Sequence, residues 1–282
     1  MATIYGTNSA DIIDGTNNND NIYGYGGDDL IYGYGGKDVL IGGAGWDDIY
    51  GGNGADYLRG GAGADYLNGG DGIDVASYND NPDWVKINLN QGFAYDGFGF
   101  TDHLVKIEDA IGSIYDDQII GSGKDNALYG GSGWDDLYGL DGKDTLYGQS
   151  GADYLSGGNG KDKLYGGAGN DKLLGDNGND KLFGGQHFDI LNGGQGDDTL
   201  TGGANSDKFV YAARSGDHDT ITDFRNDIDV LKLDVNNSWT KADVIDHASN
   251  VGSDVVIDFG GGNTLTIEDM TINALKDDMF LV

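Results

Sequence analysis

Residues Gly24–Ser77 repeat with a period of nine. Cut at that period, they read GYGGDDLIY, GYGGKDVLI, GGAGWDDIY, GGNGADYLR, GGAGADYLN and GGDGIDVAS. Each repeat begins with Gly at position 1 and carries Asp at position 6, and five of the six have a large aliphatic residue at position 8. Tandem repetition at a short fixed period predicts a solenoid, in which each repeat packs only on its neighbours.

The same frame extends in both directions along the chain. A first array of eight repeats covers Gly6–Ser77, and a second array of eleven repeats covers Gly112–Val210. Position 1 is Gly in all 19 repeats, position 6 is Asp in all but one (Asn126), and position 8 is a large apolar residue in all but one (Ala76). Such regularity is far more specific than any single short motif.

Amino-acid composition limits the kinds of molecule that this chain can bind. The 282 residues include 53 Gly, one Pro and no Cys, and 48 Asp and Glu against 16 Lys and Arg give a net charge of -32. An acidic, glycine-rich chain could be disordered, but the fixed phase of its Gly and Asp residues argues against that. The charge disfavours nucleic acid and anionic membranes as partners and favours cations. Without cysteine the chain forms neither disulfides nor thiolate metal sites.

No export leader or membrane span is expected from the sequence. Residues Met1–Gly15 lack both the basic and the apolar region of a cleavable signal peptide. No run approaches the roughly 20 apolar residues that a transmembrane helix needs, so we predict no transmembrane segment.

Within a repeat, positions 1–6 predict a turn and positions 7–9 a short strand. Strand side chains alternate between the two faces, so position 8 points inward and positions 7 and 9 point outward. Two repeats then form one coil of a right-handed parallel β-roll, an all-β fold with two parallel sheets face to face. One buried aliphatic side chain contributes about 1.5–3 kcal/mol, which is less than the entropy lost in ordering nine residues. Another source of stability is therefore needed.

The position-6 carboxylates predict that source. Adjacent coils lie about 4.8 Å apart, which places Asp29 over Asp47, and two bare carboxylates at that spacing repel by roughly 3 kcal/mol at an effective dielectric constant of 20. Calcium binds six to eight oxygens, and two aspartates with several turn carbonyls could supply six. If each ion needs two repeats 18 residues apart, the arrays offer about 15 calcium sites. The predicted metal ligands are Asp11, Asp20, Asp29, Asp38, Asp47, Asp56, Asp65, Asp74, Asp117, Asn126, Asp135, Asp144, Asp153, Asp162, Asp171, Asp180, Asp189, Asp198 and Asp207.

With the template G-G-x-G-x-D-x-U-x, the chain resembles the RTX family of secreted proteins, which carry hemolysin-type calcium-binding repeats. The resemblance implies export through a type I secretion channel without an N-terminal signal peptide. It also implies an extracellular or cell-surface location, where millimolar calcium matches the affinity of extracellular calcium modules. Because bound ions would cancel most of the charge, we expect the arrays to be unfolded without calcium and to fold when it binds.

Position 4 is the least regular position of the repeat. It is Gly in 13 repeats, and five of the six exceptions lie near an array end, where repeat proteins carry atypical caps. The sixth, His187, places a bulky residue where a positive φ is expected; we predict a distorted loop and a weakened calcium site there, with a histidine metal ligand as the alternative. The most secure pairs are Asp29–Asp47 through Asp56–Asp74 and Asp135–Asp153 through Asp162–Asp180, and the doubtful pairs involve Asn126, Asp11, Asp20 and Asp189.

The rest of the chain divides around the two arrays, giving predicted segments 1–77, 78–111, 112–210 and 211–282. Residues 78–111 break the repeat, and the alternating stretches VKINL and LVKIE indicate strands that continue the roll. Residues 211–282 resemble the C-terminal cap and type I secretion region of serralysin-type metalloproteases, with the last five residues, Asp278–Val282, like their acidic and apolar terminal signature. The strands predicted there are Asp219–Phe224, Asp229–Val235, Asp254–Phe259 and Thr264–Asp269, and the predicted helices are Lys241–Ala248 and Ile272–Asp277.

No catalytic residues and no organic cofactor site are predicted. The chain has no H-E-x-x-H and no G-x-S-x-G, P-loop or Rossmann motif, and its four histidines are scattered. The sequence therefore favours a non-enzymatic protein with a structural or interaction role at a surface, in a matrix or in host signalling. The alternative is a non-catalytic, calcium-dependent module of a secreted polysaccharide-modifying enzyme or protease. Pore formation, a third possibility in this family, needs an apolar or acylated segment that the sequence lacks.

Outward aromatic residues recur at the coil period. Tyr129, Tyr147 and Tyr165 are 18 residues apart, as are Tyr32 and Tyr50, so each set should stack on one face. Tyrosine also favours exposed β surfaces in general. The alternative is a flat platform that binds polysaccharide or a cell surface.

Overall fold

The computed structural model describes residues 1–212, 216–235, 239–275 and 278–281. The chain forms two compact units, Met1–Asp136 and Leu137–Val282. Both are built from short, mostly parallel strands in two sheets, and helix is confined, within the described ranges, to two short segments of the second unit. The predicted all-β parallel β-roll is confirmed.

In the first unit, consecutive strands alternate between the two sheets. One sheet has the order β1 (Ala2–Tyr5), β3 (Asp20–Gly26), β5 (Val39–Ala44), β7 (Tyr57–Ala62), β9 (Val75–Ser77), β13 (Asp109–Ile111) and β15 (Ala127–Ser132). The other has the order β2 (Ile12–Thr16), β4 (Leu30–Gly36), β6 (Asp48–Gly54), β8 (Tyr66–Gly72), β12 (Thr101–Val105), β11 (Phe93–Tyr95), β10 (Lys86–Asn88) and β14 (Gln118–Ser122).

Strand register in the arrays equals the predicted coil length. Ile22 of β3 pairs with Leu40 of β5, and Ile31 of β4 pairs with Ile49 of β6. Position-8 side chains of successive coils therefore lie in line, and each of these four is fully buried. Positions 7 and 9 alternate with them and face outward, as the nine-residue pattern requires.

Residues 78–111 add strand β13 to the first sheet of this unit and continue its second sheet with a different topology. Strand β12 pairs in parallel with β8 (Leu104 opposite Leu67), β10 pairs in parallel with β14 (Ile87 opposite Ile119), and β11 joins them in antiparallel fashion. The prediction of VKINL as a strand is confirmed by β10. The prediction of LVKIE is wrong in its bounds, because β12 ends at Val105 and Lys106 adopts a φ of 51°.

The second unit repeats the architecture. One sheet has the order β17 (Thr145–Ser150), β19 (Lys163–Ala168), β21 (Lys181–Gln186), β23 (Thr199–Gly203), β25 (His218–Ile221), β29 (Asn263–Ile267), β28 (Asp254–Gly260) and β27 (Ala248–Val251). The other has the order β16 (Asp136–Gly142), β18 (Tyr154–Gly160), β20 (Lys172–Gly178), β22 (Ile190–Gln195), β24 (Lys208–Ala212), β26 (Val230–Asp234) and β30 (Met279–Leu281). Leucines at position 8, such as Leu164 and Leu173, form its fully buried core.

The last part of the second unit closes the solenoid. Strands β25 and β26 still stack in parallel on β23 and β24, whereas β27, β28 and β29 form an antiparallel meander whose last turn lies at Gly260–Asn263. Helix α1 (Lys241–Asp246) begins with a capping box between Thr240 and Asp243 and ends before the predicted Ala248, which starts β27. Helix α2 spans Ile272–Leu275, and the predicted helical residues 276–277 and the terminal Val282 lie outside the described residues.

Candidate calcium sites in the turns

The aspartates at position 6 are buried, except for the half-buried Asp11, although an aspartate side chain is ordinarily charged at neutral pH. Asp29, Asp38, Asp47 and Asp56 are each no more than 2% exposed, and Asp189 is fully buried. An ionised carboxylate is retained inside a protein only where hydrogen bonds, a counter-charge or a metal compensates for lost hydration. The turns therefore contain a charge that requires a partner.

One oxygen of each carboxylate has a backbone partner. The amide of Asp29 donates to Oδ1 of Asp47 at 2.9 Å, and the amide of Asp171 donates to Oδ1 of Asp189 at 2.8 Å. The same bond links residues 18 apart along each array, so the carboxylates lie in continuous lines that we call aspartate rows. The structure thus brings the predicted partners together within each unit. The pairs Asn126–Asp144 and Asp135–Asp153 join residues of different units and stay predictions.

The second carboxylate oxygen, Oδ2, has no protein partner in most of the regular repeats. Oδ2 is buried and has no hydrogen-bond partner in ten described position-6 aspartates: Asp29, Asp38, Asp47, Asp56, Asp65, Asp74, Asp171, Asp180, Asp189 and Asp198. Leaving such an atom without a partner costs several kcal/mol in a dry environment. A cation bound at Oδ2 would remove this penalty.

The backbone of the turn leaves space next to Oδ2. A Cβ atom added to Gly24 would lie 2.2 Å from Oδ2 of Asp29, and one added to Gly42 would lie 2.2 Å from Oδ2 of Asp47. Any side chain at position 1 would therefore occupy the space in front of the carboxylate. This close approach explains Gly at position 1 in the regular repeats, whereas at Gly15 an added Cβ would instead meet the carbonyl oxygen of Gly33 at 2.8 Å.

Burial also changes the proton affinity of these groups. It raises the pKa of Asp38 and Asp47 from the ordinary value of 3.8 to about 6. In the second unit, burial, partly opposed by the bond from the Asp171 amide and reinforced by neighbouring carboxylates, raises the pKa of Asp189 to about 8. The rows are thus poorly stabilised as anions by the protein alone, and they favour protons or cations.

Five predicted ligands have protein donors on the oxygen that is bare elsewhere. Hydroxyl or amide groups of Thr7, Thr16, Ser113 and Ser122 donate to Asp11, Asp20, Asp117 and Asn126 respectively. Oδ2 of Asp207 accepts from the guanidinium of Arg225 at 3.3 Å. These positions do not present the bare carboxylate oxygen found in the ten aspartates above.

Sequence reasoning missed four acidic residues that prolong the rows. Asp65 donates its amide to Asp102, Asp74 to Glu108, Asp198 to Asp219, and Asp207 to Asp229. None has the glycines of a full repeat. A weaker signal was present, because Asp102, Asp219 and Asp229 are each followed two residues later by a buried aliphatic residue, as in the repeat.

The loop at His187 differs from the prediction. His187 adopts a φ of 79°, within the left-handed region that Gly occupies at this position in other repeats. Asp189 keeps both hydrogen bonds of its aspartate row: its amide donates to Asp207 at 3.0 Å, and its Oδ1 accepts from the amide of Asp171. The predicted distortion is therefore wrong, and the turn holds its conformation at the expense of local backbone strain.

The aromatic residues form stacked ladders. In the second unit the ring centroids of Tyr147 and Tyr165 are 5.0 Å apart with an interplanar angle of 8°, and those of Tyr165 and Phe183 are 4.9 Å apart at 6°. In the first unit Tyr32 and Tyr50 stack at 5.2 Å. Neighbouring rings in each ladder therefore lie face to face, and the alternative of a platform that binds polysaccharide or a cell surface stays a prediction.

The donor set fits calcium. Among the described residues, no group of three or more His, Cys, Asp or Glu side chains is arranged to hold a metal. The turns offer an ion the Oδ2 atoms of the position-6 aspartates and backbone carbonyl oxygens. All-oxygen ligation of this kind suits hard cations, and a flexible set of carbonyls suits calcium better than the strict octahedral geometry of magnesium. Fold and turns together define a calcium-binding β-roll.

The family follows from direct comparison. The model of the RTX calcium-binding nonapeptide repeat, which spans four copies, matches residues 5–40, 41–76, 111–146, 138–173, 147–182 and 174–209. These matches cover more than half of the chain, which belongs to the RTX calcium-binding nonapeptide repeat family. No curated protein sequence matches the chain significantly.

Among solved structures, the chain is similar to the extracellular lipase LipA from Serratia marcescens. The identity is 17% and the TM-score 0.29, over 99% of this chain and 40% of the lipase chain. This chain therefore spans less than half the length of the lipase, and the likeness says nothing about its activity. In the portions of the chain that the structure describes, no helix is long and apolar enough to cross a membrane.

Proposed function

We propose that this chain is a secreted, extracellular protein whose β-roll arrays fold when calcium binds, and that it has a structural or interaction role rather than an enzymatic one. The observation that carries the proposal is the set of ten buried, unpartnered Oδ2 atoms in successive turns. Each requires a cation or a proton, and at neutral pH outside a cell calcium is the abundant hard cation.

The arrays 1–77 and 112–210 hold the ions in this proposal. A position-6 aspartate and its partner 18 residues away supply the carboxylates, and turn carbonyls supply the remaining oxygens. Segment 78–111 continues the first array without a full repeat, and segment 211–282 closes the roll. Calcium supplies two positive charges per site, which screen the repulsion along each aspartate row.

Net charge makes folding depend strongly on calcium. With -32 charges, the calcium-free arrays repel themselves, and their many glycines raise the entropy of the unfolded chain. About 15 divalent ions, the number expected from ligand counting, would neutralise most of this charge. Binding energy then becomes folding energy, so the chain is unfolded at cytosolic calcium and folded outside.

Export through a type I channel suits such a chain. A polypeptide that stays unfolded inside the cell and forms no disulfides can pass a narrow channel and fold on reaching calcium. In the proposal, residues 211–282 carry the secretion signal. After export the same residues close the solenoid, because Met279–Leu281 pair with Val230–Asp234 as an edge strand.

The test is a calcium titration of the full chain followed by circular dichroism, with magnesium as the control cation. Parallel β signal should rise cooperatively between about 0.1 and 1 mM calcium and should stay low in chelator and in magnesium. A chain that is equally β-rich in chelator would overturn calcium-dependent folding. Retention of the folded protein on cells, matrix polysaccharide or bare resin would then separate an interaction role from a solely structural one.

A further inference from the structure

The 19 turns adopt two backbone conformations. In fifteen of them, positions 2 and 4 both have positive φ, even where position 2 is Tyr34 (69°) or Leu140 (81°). In the other four, which begin at Gly6, Gly15, Gly112 and Gly121, neither position is among the described residues with positive φ. These four are the first two repeats of each array.

A hydroxyl group occupies position 2 in each of the four exceptional turns. In the repeat that begins at Gly15, the amide and the hydroxyl of Thr16 both donate to Oδ2 of Asp20 at 2.7 Å. Thr7 makes the same two bonds to Asp11, at 2.6 and 2.8 Å. The oxygen that is buried and bare in Asp29 or Asp38 is thus already hydrogen-bonded here.

The second array begins in the same way. The Ser113 amide and hydroxyl donate to the two oxygens of Asp117, and the Ser122 amide donates to Oδ1 of Asn126 at 2.6 Å. Asn126 carries no charge, so its turn offers a cation one carboxylate fewer. The first two turns of both arrays therefore have the same arrangement, in which a hydroxyl residue at position 2 donates to the side chain at position 6.

At two of the far row ends, a side-chain donor reaches the last carboxylates as well. In the second unit, Arg225 lies between the last two carboxylates of one row and donates to Asp207 at 3.3 Å and to Asp229 at 3.1 Å. Asp207 is fully buried and Asp229 is 2% exposed. In the first unit, the buried Tyr78 hydroxyl donates to Oδ2 of Asp102 at 2.9 Å, where the insertion ends a row. Here a guanidinium or a hydroxyl group is the partner of the buried carboxylate, which in the regular turns would be a divalent cation.

We propose that these side chains terminate the rows of calcium sites: Thr7, Thr16, Ser113, Ser122, Tyr78 and Arg225 take the place of the ion at the array boundaries. The inference rests on the proposed calcium function and narrows it, because the boundary turns hold their conformation without metal and only the turns between them bind calcium. Asp11, Asp20, Asp117, Asn126 and the Asp207–Asp229 pair are then not calcium sites in the natural chain.

Arg225 offers the sharpest test, because its removal should create a site. Replacing Arg225 with Met leaves Asp207 and Asp229 facing each other without a counter-charge, so the R225M chain should bind one more calcium ion than the natural chain. Arg59→Met is the matched control, since Arg59 forms an ion pair with Asp80 on the surface at 3.1 Å and lies in no row. Native mass spectrometry of the calcium-loaded full chain counts the ions.

Thr16→Gly provides a second, independent variant should R225M fail to fold in calcium. It restores the glycine of the common repeat, and Asn18 at position 4 can adopt the positive φ that Asn205 shows at the same position (70°). One additional ion in either folded variant, with none added in R59M, supports the proposal. An unchanged ion count in the folded variants overturns it.

Measuring the natural chain in the same experiment distinguishes failure of the proposed calcium function from failure of the proposed row termination. If it binds no calcium and does not change its circular dichroism, the proposed function fails. If it binds calcium and folds, but R225M and T16G bind the same number of ions as the natural chain, only the termination of the rows fails.

Discussion

The backbone amide of Asp29 donates a 2.9 Å hydrogen bond to Oδ1 of Asp47, the equivalent residue one coil later, while Oδ2 of Asp47 is buried and unpartnered. One carboxylate oxygen therefore connects the coils and the other requires a cation. The division of labour between the two oxygens explains why Asp recurs at position 6: a neutral acceptor could form the bond but could not attract the ion.

Replacing Asp47 with Asn should separate these two roles. The carboxamide keeps an acceptor for the Asp29 amide but removes the charge, so the calcium concentration for half-folding should rise by roughly three- to tenfold. Asp48→Asn is the matched control, because Asp48 is exposed at position 7 and removes the same charge. Calcium titration by circular dichroism measures both, and equal shifts in the two variants would show that only net charge matters.

Acid should stabilise the calcium-free fold. Burial raises the pKa of Asp38 and Asp47 to about 6 and that of Asp189 to about 8, against 3.8 in the unfolded chain. Between pH 4 and 8 the folded state thus binds more protons than the unfolded state, so stability without calcium is greatest at low pH and is lost as the pH rises through 6 to 8.

Two measurements follow from this linkage. Circular dichroism in calcium-depleted buffer should show more β structure at pH 5 than at pH 8. Because protons and calcium stabilise the folded state at the same oxygens, the calcium concentration for half-folding should be lower at pH 5 than at pH 8. If the β content without calcium falls or stays constant on acidification, the raised pKa values of the buried aspartates are contradicted.

Position 1 should tolerate no side chain in a regular turn. In Gly42→Ala the added Cβ would lie 2.2 Å from Oδ2 of Asp47 and 2.8 Å from the Gly60 carbonyl oxygen. We expect a loss of about 1–3 kcal/mol in the free energy of unfolding with calcium bound, measured by urea denaturation. Gly123→Ala is the control, since nothing lies within 4 Å of its added Cβ; a similar loss there would point to glycine flexibility instead.

His187→Gly should stabilise the folded protein. The natural histidine holds a φ of 79°, a conformation that costs a non-glycine residue roughly 1–2 kcal/mol. Glycine removes that strain, partly offset by its greater freedom in the unfolded chain, so the free energy of unfolding in calcium should rise by up to about 1 kcal/mol. A marked loss of bound calcium in this variant would instead favour the histidine as a metal ligand.

Local periodicity was sufficient to predict the repeated part of the fold. The repeat that contains Gly24, Asp29 and Ile31 represents every regular repeat. The glycine of the turn, the aspartate carboxylate and the inward aliphatic side chain recur at positions 1, 6 and 8, and each repeat contacts only its neighbours. Residues 78–111 lack that phase. Strand β12 pairs with the distant residues Tyr66–Asn68. Strand β11 is antiparallel because it joins β12 to β10 within the second sheet, and the nine-residue pattern does not encode this arrangement.

The sequence by itself determined the β-roll, the phase of its Asp residues and the calcium chemistry that this phase implies, because all three follow from a short repeating unit. Only the tertiary structure decided which carboxylate oxygens are bare and which have a donor. Arg225 reaches Asp207 across 18 residues and Tyr78 reaches Asp102 across 24. Such contacts depend on how the coils stack and on where the solenoid closes, and the order of the residues does not display that.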